Sequence, residues 1–579
     1  MTGAPSDAVR RARELLLAGR LGESERVLDA MTAGTNDAQV VALRGMLAAA
    51  RNDDTGAATL LERSLRIKPT FDAAICLGRL RYAAGFGREI AGLLATAFRL
   101  NPQSTAAHEL HRRAAPPSKA PARPLTTSRG HRRPLSIWFS QANSIPYDGD
   151  TPRDQPLGGT ESAVVYLADA LAEAGHVVRV YNGCADARRF RAVEYHRWQD
   201  IRADALEDAP DVLISIRDWS LIGQNRFAPL QLLWTGDPPD QPSARGLEIR
   251  EHRTAIDYFV FQSQWHAGAY RTTRGIDAWR IVRTRLGFAP VARTRSVDRR
   301  PPRLIYASTP CRGLDLLLEW FPIIRQRCPE AELRVCSSLR LYGVSEEDDR
   351  AQFGALYERA RQPGVVMLGS LPQPALAAEY EQARVLAYPN RRPETFCITV
   401  VEAQAAGCPV VTSTFGALPE TVGNGGVCVS GDPDSDPTFR DRFVDEVVAM
   451  LTDDDRWCEA SRVARERAAG HYNWRAIASE WSDFCYSALA GDVPELERIA
   501  HHLSGRRYPL ARRIIEREGR PETVTADAWT ALGRLVAWLD EGTQPVAADL
   551  MAQVQLLGPL RRIPAFDDWT RQAATTSAS

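Results

Sequence analysis

The first 115 residues carry apolar positions at helical spacing and almost no strand signals. The pattern repeats at an offset of 33 residues, at the apolar pairs Val27-Leu28, Leu60-Leu61 and Leu93-Leu94 and the small residues Ala12, Gly45 and Gly78. Such a repeat predicts stacked helix pairs. A non-repeating, alanine-rich amphipathic bundle is the alternative interpretation. Either arrangement would offer a surface rather than a reaction site.

Short apolar runs alternate with helical patterns after a segment rich in proline and small polar residues, Ala114 to Pro134, which predicts an extended linker. The predicted strands are Leu135 to Phe139, Val177 to Tyr181, Val212 to Ile216, Leu230 to Trp234 and Tyr258 to Phe261. Strands alternating with helices predict a doubly wound parallel sheet.

A second alternation follows the arginine-rich stretch Arg271 to Arg303, which we interpret as a hinge. Its predicted strands are Leu304 to Ala307, Leu333 to Cys336, Val365 to Leu368, Val385 to Tyr388, Val410 to Thr412 and Val427 to Val429. The fold class is therefore α/β, with two Rossmann-like domains facing a cleft where ligands meet the carboxyl ends of the strands. Beyond Gly470 the pattern is helical again, with no identifiable site.

Composition narrows the possible functions. With 579 residues the chain needs several cores, and its 72 basic and 72 acidic residues give no argument for nucleic-acid binding. The ten cysteines are scattered, which predicts reduced thiols in a cytoplasm rather than zinc or disulfides. We predict neither a signal peptide nor a membrane span. The only lysines are Lys68 and Lys119, so a phosphate-binding cation after the linker must be arginine or histidine.

The most informative chemistry lies in PETFCITVVEAQAAGCPVV, which sets Glu394 and Glu402 eight positions apart. A helix should contain Glu402, and Gly407 followed by Pro409 should end it. Glu394 then precedes the helix, and the free N–H groups of residues 396–399 lie between the two carboxylates. A helix N-terminus with unpaired donors favours phosphate binding.

This element, set in two Rossmann-like halves, resembles the GT-B fold of retaining glycosyltransferases of glycosyltransferase family 4. The resemblance covers roughly Leu135 to Ala490 and is strongest from Leu368 to Val429, in LGSLP, AYPNRRPETFCITVVEAQAAGCPVVTS and GALPETVGNGG. It implies that Glu394 binds hydroxyls of the donor sugar and Glu402 the ribose. It further implies that the main chain of Phe396, Cys397, Ile398 and Thr399 meets the diphosphate. Cys397 stands where the family usually has glycine, and we expect it to be tolerated rather than nucleophilic, although open to thiol modification.

Gly158 and Gly159 open a helix in the first half, at the position of the family's glycine loop. Missing side chains let backbone donors approach a phosphate. A plain loop or helix cap is the alternative. Thr160 is a candidate N-cap residue.

Arg312 follows the first strand of the second half, where related enzymes carry an arginine and a lysine against the diphosphate. A planar guanidinium can hold phosphate oxygens bidentately and stabilise the leaving group. The alternative is an exposed arginine at a helix start. Ser308, next to it, can donate only a neutral hydrogen bond to the donor.

A second departure from the family lies in LLWTGDPPDQP, where Gly236 occupies the place of a frequent histidine. Asp237 could orient the sugar or acceptor, or cap the turn that follows. Arg217-Asp218 is an alternative polar pair at the cleft. His266 is expected to be a packing residue.

The run from Asp186 to Trp198 interleaves arginines with aromatic residues. Such a face could dock an anionic, lipid-linked acceptor through peripheral membrane contact. An ordinary solvated surface is the preferred interpretation.

These residues predict a metal-independent, cofactor-free glycosyltransferase that passes a sugar from a nucleotide sugar to a glycan, lipid-linked sugar or polypeptide with retention. The predicted units are tetratricopeptide-like repeats (1–115), a linker (116–134), an acceptor-side domain (135–290), a donor-binding domain (300–470), a closing helix (471–490) and a helical extension (491–579). The repeats would bind a protein partner or mediate self-association. Alternatives are a GT-B epimerase or phosphorylase, and a donor-binding scaffold without turnover.

Overall fold

The computed structural model describes residues 7–31, 36–86, 90–114, 124–125, 132–289, 300–490, 508–518 and 524–541, with isolated positions between 496 and 569. Its N-terminal part is helical: α1 (Asp7–Leu17), α2 (Leu21–Ala30), α3 (Ala38–Ala50), α4 (Asp54–Ile67), α5 (Phe71–Ala83), α6 (Ala91–Leu100) and α7 (Thr105–Ala114). This confirms a helical N-terminal region.

The small residues of the 33-residue repeat mark the places where these helices touch. The Ser24 hydroxyl of α2 donates to the Ala12 carbonyl of α1 (2.8 Å). A Cβ atom on Gly45 would lie 2.7 Å from Leu61 Cγ, and one on Gly78 would lie 2.9 Å from a Leu110 methyl. Equivalent positions in α1, α3 and α5 thus permit close helix packing.

The first sheet contains β1 (Ser136–Ser140), β2 (Val177–Asn182), β3 (Arg188–Phe190), β4 (Val193–Arg197), β5 (Val212–Ile216), β6 (Leu230–Trp234), β7 (Tyr258–Phe261) and β8 (Ile281–Arg283). Its helices are α8 (Thr151–Asp154), α9 (Gly159–Glu173), α10 (Ile201–Glu207), α11 (Arg250–Ala255) and α12 (Gln264–Arg274). The strand order is β3-β4-β2-β1-β5-β6-β7-β8. All of its pairs are parallel except β3 with β4, and the order from β4 onward is Rossmann-like.

One sequence interpretation in this half is wrong. The arginine-rich stretch 271–303 is not simply a hinge, because its first residues end α12 and residues 281–283 form β8, parallel to β7. The Asp186 to Trp198 run forms the β3–β4 edge hairpin, in which Arg191 pairs with Asp169 of α9 at 2.6 Å. Positions 290–299 of the expected hinge lie outside the described residues.

The second sheet contains β9 (Arg303–Tyr306), β10 (Glu332–Val335), β11 (Val365–Met367), β12 (Val385–Tyr388), β13 (Val410–Ser413) and β14 (Gly426–Val429), in the order β11-β10-β9-β12-β13-β14. Its helices are α13 (Leu314–Arg327), α14 (Glu346–Arg359), α15 (Gln373–Gln382), α16 (Ile398–Ala405), α17 (Leu418–Val422), α18 (Phe439–Thr452) and α19 (Asp454–His471). Fully buried strand residues form its core. The predicted α/β class, with two Rossmann-like halves and flanking helical parts, is confirmed.

Helix α20 (Trp474–Leu489) follows the second half but packs on the first. Its Trp481 ring lies 5.3 Å from that of Trp234 in β6, and Phe484 lies 5.1 Å from Tyr258 in β7. Two further helices, α21 (Tyr508–Glu518) and α22 (Ala526–Glu541), share a core cluster of their own. Most of the predicted linker and much of the C-terminal extension lie outside the described residues.

The N-terminal helices dock directly on the first half. Arg99 of α6 donates to Glu207 of α10 at 2.6 Å, and the Phe98 ring lies 6.4 Å from Phe227. Phe227, which also belongs to a core cluster of the first half, is 5% exposed. Among the helices of the described residues, none has the length and apolar character needed to cross a membrane.

Candidate active site between the two sheets

Glu394 lies in the loop after β12 and is held by two donors. The Tyr388 hydroxyl, at the end of β12, donates to Glu394 Oε1 (2.6 Å), and Arg312 Nη1 donates to the same oxygen. The Glu394 side chain is 10% exposed, whereas that of Arg312 is 31% exposed. The backbone is fixed as well, since the Ala417 N–H donates to the Glu394 carbonyl (2.7 Å). The structure thus joins Glu394 and Arg312, which are 82 positions apart in sequence.

The groups of this cluster shift one another's pKa values. Burial disfavours the charged guanidinium of Arg312, but the Glu394 carboxylate outweighs it and raises the pKa of Arg312. Burial, reinforced by Glu394, keeps the pKa of Tyr388 well above its ordinary value. At neutral pH, Tyr388 is therefore a neutral phenol and Arg312 a cation.

Helix α16 begins beside this cluster, as the sequence predicts. Its N-cap residue is Cys397, no side chain caps the helix, and Glu402 lies one turn inside it. The Thr399 hydroxyl donates to the Ala307 carbonyl at the end of β9 (2.9 Å) and fixes the first turn. An uncapped helix start leaves backbone N–H donors and positive potential for an anion.

Cys397 occupies a left-handed backbone conformation, with φ of 80°. Side chains rarely adopt this region, and glycine adopts it freely. Burial, followed by the charge of Glu394, raises the pKa of the Cys397 thiol well above its ordinary value. The thiol therefore stays protonated at neutral pH, in agreement with the expectation that it is not a nucleophile.

The glycine pair brings the first half against this helix. Gly158 is the N-cap residue of α9, again without a side-chain cap, and a Cβ atom on Gly159 would lie 3.3 Å from an Ile398 methyl. Two uncapped helix starts, α9 and α16, therefore meet across the cleft. The expectation that Thr160 caps α9 is wrong, since Thr160 lies inside the helix and accepts a hydrogen bond from Arg217 Nη2 (2.7 Å).

Asp237 faces this region from the loop after β6, but its side chain is engaged. Arg217 Nε lies 3.1 Å from Asp237 Oδ1, and the Ser243 hydroxyl donates to Oδ2 (2.8 Å). His266 is fully buried and contacts the Asp237 carbonyl at 2.8 Å. Burial lowers the pKa of His266 to about 4, so it is a neutral packing residue at pH 7.

Gly236, beside Asp237, connects the halves. The Thr395 hydroxyl, next to Glu394, donates to the Gly236 carbonyl (2.7 Å). A Cβ atom at position 236 would lie only 2.9 Å from Gln262 Nε2. The backbone of Gly236 therefore borders the site here without a side chain.

The remaining predicted site residues lie at the margins of the cluster. Ser308 Oγ is 3.4 Å from the Tyr388 hydroxyl. Glu402 is 5% exposed, and its charge acts on Tyr166 of α9 and Tyr380 of α15. The Phe396 ring packs edge-on against Tyr472 (5.8 Å), and the Phe396 carbonyl accepts a hydrogen bond from the Thr421 hydroxyl.

Three site residues escaped the sequence interpretation. Tyr388 could have been noticed as a polar residue at the carboxyl end of a buried strand. Glu161, in the first turn of α9, accepts a hydrogen bond from Gln141 Nε2 (2.6 Å) and carried no separate signal. Tyr342 is 52% exposed, and its ring lies 3.5 Å from the Cβ position of Gly158.

A cavity of about 770 Å³ lies between loops of the two halves and is lined by residues 155–156, shortly before α9. Its walls are the loop after β1 (residues 145–148) and the loops after β10 and β11 (residues 338–343 and 368–370). Among the described residues, no three His, Cys, Asp or Glu side chains come together as a possible metal-binding group.

Comparison with protein families finds a match within the second half. Residues 301–453 match the model of the family described as glycosyl transferases group 1. A D-inositol 3-phosphate glycosyltransferase of Corynebacterium aurimucosum is 27% identical over 190 residues, which are 32% of this chain and 42% of that protein. A phosphatidyl-myo-inositol mannosyltransferase of Mycobacterium tuberculosis is 28% identical over 217 residues, 36% of this chain and 53% of that protein. The chain thus spans about half the length of these curated relatives.

Solved structures show the same kind of similarity at low identity. Sucrose-phosphate synthase from Thermosynechococcus elongatus aligns over 62% of this chain and 100% of its own, with 18% identity and a TM-score of 0.49. An O-GlcNAc transferase of Thermobaculum terrenum aligns over 85% of this chain and 99% of its own, with 17% identity and a TM-score of 0.40.

Proposed function

We propose that this protein is a glycosyltransferase that moves a sugar from a nucleoside-diphosphate sugar to an acceptor hydroxyl. The observation that carries the proposal is the Arg312–Glu394–Tyr388 cluster beside the uncapped starts of α9 and α16. Two helix N-termini and a guanidinium supply the donors and positive potential that a diphosphate requires. The family match of residues 301–453 supports this assignment.

Each part of the nucleotide sugar has a proposed binding partner in the protein. Glu394 accepts hydrogen bonds from hydroxyls of the transferred sugar, and Glu402 from the ribose. The main chain of residues 396–399 and of Gly158-Gly159 holds the diphosphate, with Ser308 as a neutral donor. The nucleotide base binds in the cavity of about 770 Å³.

Arg312 serves both Glu394 and the diphosphate. A guanidinium has five N–H donors, and the contact with Glu394 involves Nη1. Other donors remain for phosphate oxygens. When the bond between the anomeric carbon and the phosphate oxygen breaks, the electron pair stays on that oxygen, and Arg312 stabilises the negative charge.

We propose retention of configuration. The acceptor oxygen bonds to the anomeric carbon on the face from which the diphosphate leaves, and the departing phosphate oxygen takes the acceptor proton. Asp237 positions the acceptor side through Arg217 rather than acting as a base, because Oδ1 is ion-paired with Arg217 at 3.1 Å and Oδ2 already accepts from Ser243. This reaction needs no further cofactor or metal, and it tolerates Gly236 in place of a histidine.

The test is a thermal-shift screen of nucleotide sugars, followed by product analysis and kinetics on the best donor. Glu394→Gln should lower kcat/KM about a hundredfold or more, since it weakens both the sugar contact and the hold on Arg312. Glu402→Gln should mainly raise the KM for the nucleotide sugar.

The matched control is Glu379→Gln. Glu379 of α15 pairs with Arg334 at 2.9 Å and its side chain is 14% exposed, a carboxylate–guanidinium pair outside the cluster. Equal losses in Glu394→Gln and Glu379→Gln would contradict the assignment of the site.

A donor-binding scaffold without turnover is the second candidate, favoured by the reduced cation set and Gly236. Tight nucleotide-sugar binding without transfer or slow hydrolysis would support it. A sugar with an inverted hydroxyl, formed in the absence of an acceptor, would instead indicate an epimerase. Sugar 1-phosphate formed from a glycan and inorganic phosphate would indicate a phosphorylase.

The acceptor and the partners are also proposals. We propose a glycan, a lipid-linked sugar or a polypeptide in a cytoplasmic setting. Two relatives are named for inositol phosphate and phosphatidyl-inositol acceptors, so both classes belong in the acceptor panel. We propose that the N-terminal helices are tetratricopeptide-like repeats that bind a partner or a second copy, and that the β3–β4 hairpin allows peripheral membrane contact.

A further inference from the structure

A second, larger cavity of about 1030 Å³ lies behind the loop that carries Glu394. The cavity is lined by α12 and β8 of the first half, by residues 420–421 and the end of α19 of the second half, by α20, and by Ala500 and Ile563 of the C-terminal part. The Phe396 ring lines it, whereas Arg312 and Glu394 do not. One loop therefore faces two separate spaces.

Basic side chains dominate the cavity wall: Arg271, Arg283, Arg285, Arg467 and His471. Within the described part of the chain, Arg271 and Arg283 form no ion pair and no side-chain hydrogen bond. Arg467 donates only to neutral oxygens, among them the Glu420 carbonyl (2.7 Å) and the Tyr472 hydroxyl (3.1 Å).

The acidic residues of the wall are already satisfied. The Glu480 carboxylate holds Arg285 through two contacts of 2.7 Å. Asp483 accepts from Arg132 at 2.6 Å. The Glu420 carboxylate accepts from the backbone N–H groups of residues 264 and 265, at 2.8 and 2.7 Å. Among the described residues of the wall, four arginines therefore stand against three carboxylates that already have partners, and Arg271 and Arg283 present the positive charge.

The same cavity is lined by four aromatic residues, Phe396, Tyr472, Trp481 and Phe484. Each is no more than 5% exposed, because the rings are packed in the core of the first half, so the wall is rigid. A cationic rim on a rigid wall suits a small molecule with an anionic head.

We propose that this cavity is a second ligand site, which binds a small organic phosphate. The phosphate contacts Arg271 and Arg283, and the organic body occupies the rest of the cavity. Because both halves form the walls, the ligand binds the present arrangement of the halves more tightly than an opened one. It also touches the loop of Glu394, so its occupancy strengthens donor binding reciprocally.

The experiment is a calorimetric titration of the full-length protein with glycerol 3-phosphate and with a hexose 6-phosphate, alongside the unphosphorylated hexose. The phosphate esters should bind and the free hexose should not. Arg271→Ala with Arg283→Ala should weaken binding roughly tenfold or more, because two charge-assisted contacts are lost. Saturating nucleoside diphosphate should tighten the phosphate ester rather than displace it.

Arg350→Ala with Arg361→Ala is the matched control, since both arginines are exposed on the second half away from the cavity. The proposal is overturned by an absence of heat with wild type, by equal losses in both double variants, or by competition from the nucleoside diphosphate. Unchanged donor affinity with the ester bound would overturn the coupling. Glu394→Gln should retain ester binding even if it abolishes transfer, which keeps this test independent of the proposed reaction.

Discussion

At the scale of single residues, position 397 offers the sharpest test of backbone strain. Cys397 has φ of 80°, a region that costs an L-residue about 1–2 kcal/mol relative to glycine. Cys397→Gly removes that cost, but it also removes the packing of the side chain and increases the entropy of the unfolded chain. Because these effects oppose one another, the free energy of unfolding should change by less than about 1 kcal/mol. Cys397→Val should destabilise by about 2 kcal/mol or more, because β-branched residues strongly avoid this region. Denaturant unfolding measures both, and a fully tolerated valine would contradict the assigned conformation.

Tyr388 tests the support of Glu394. Tyr388→Phe removes one of the two donors to Glu394 Oε1. We expect kcat/KM for transfer to fall about tenfold, the usual effect of losing a hydrogen bond to a charged group. Tyr181→Phe is the control, because that hydroxyl donates to Asp204 at 3.1 Å beside the N-terminal helices. An equal fall of kcat/KM in Tyr181→Phe would show that the effect of Tyr388→Phe does not arise from the lost hydrogen bond to Glu394.

The sequence predicts these residues unequally. Glu394, Glu402 and the Gly158-Gly159 pair follow from local patterns, because a helix start and its glycines are encoded nearby. The Arg312 contact with Glu394 depends on β9 lying next to β12, which no local pattern specifies. Thr160 was assigned as a cap from its residue type, whereas the helix starts one residue earlier, at Gly159.

At the scale of elements, the approach of α9 to α16 is the feature to perturb. A Cβ atom on Gly159 already lies 3.3 Å from an Ile398 methyl, so Gly159→Val pushes the two helix starts apart. Nucleoside-diphosphate affinity should fall at least about tenfold as the paired N–H donors separate. Gly354→Val on α14 is the control, since its Cβ would meet nothing within 4 Å. Calorimetry compares them, and equal affinities would exclude a joint phosphate site.

Buried parallel strands are easily predicted because both faces are covered, so their sequences read as continuous apolar runs. Strands β5, β6, β7 and β12 have the predicted bounds. Strands β3 and β4 form an edge hairpin with charged residues, and β8 is a three-residue edge strand, so neither has this signature.

At the scale of the whole molecule, the docking of the N-terminal helices predicts a pH dependence. His111 of α7 is 2% exposed and its ring lies 4.8 Å from that of Phe227. Burial lowers the pKa of His111 from 6.5 to about 4. Undocked or unfolded chains therefore bind a proton between these values, and the stability present above pH 6.5 falls as the pH drops toward 4.

The expected loss from His111 alone is about 2 kcal/mol at pH 5. Thermal unfolding at pH 7.5 and pH 5 should show a smaller pH effect in His111→Gln than in wild type. His471→Gln, at an exposed position, should behave like wild type. Identical pH effects in all three proteins would contradict the buried, neutral state of His111.

The contact between the N-terminal helices and the first half affects any experiment that deletes those helices. Deleting residues 1–115 uncovers Phe227 and removes Arg99 from Glu207, so the remaining protein would lose stability as well as a partner surface. Substitutions on the outer faces of α1 to α5 are the cleaner test of acceptor or partner selection.

The return of α20 to the first half has a consequence for synthesis on the ribosome. The rings that α20 covers, those of Trp234 and Tyr258, are translated long before Trp481 and Phe484. At about 5–20 residues per second, the nascent first half waits roughly ten to fifty seconds for its last helix. During that time it exposes an aromatic surface, so a chaperone that binds such surfaces should engage nascent chains released before residue 474 and dissociate once α20 has been made.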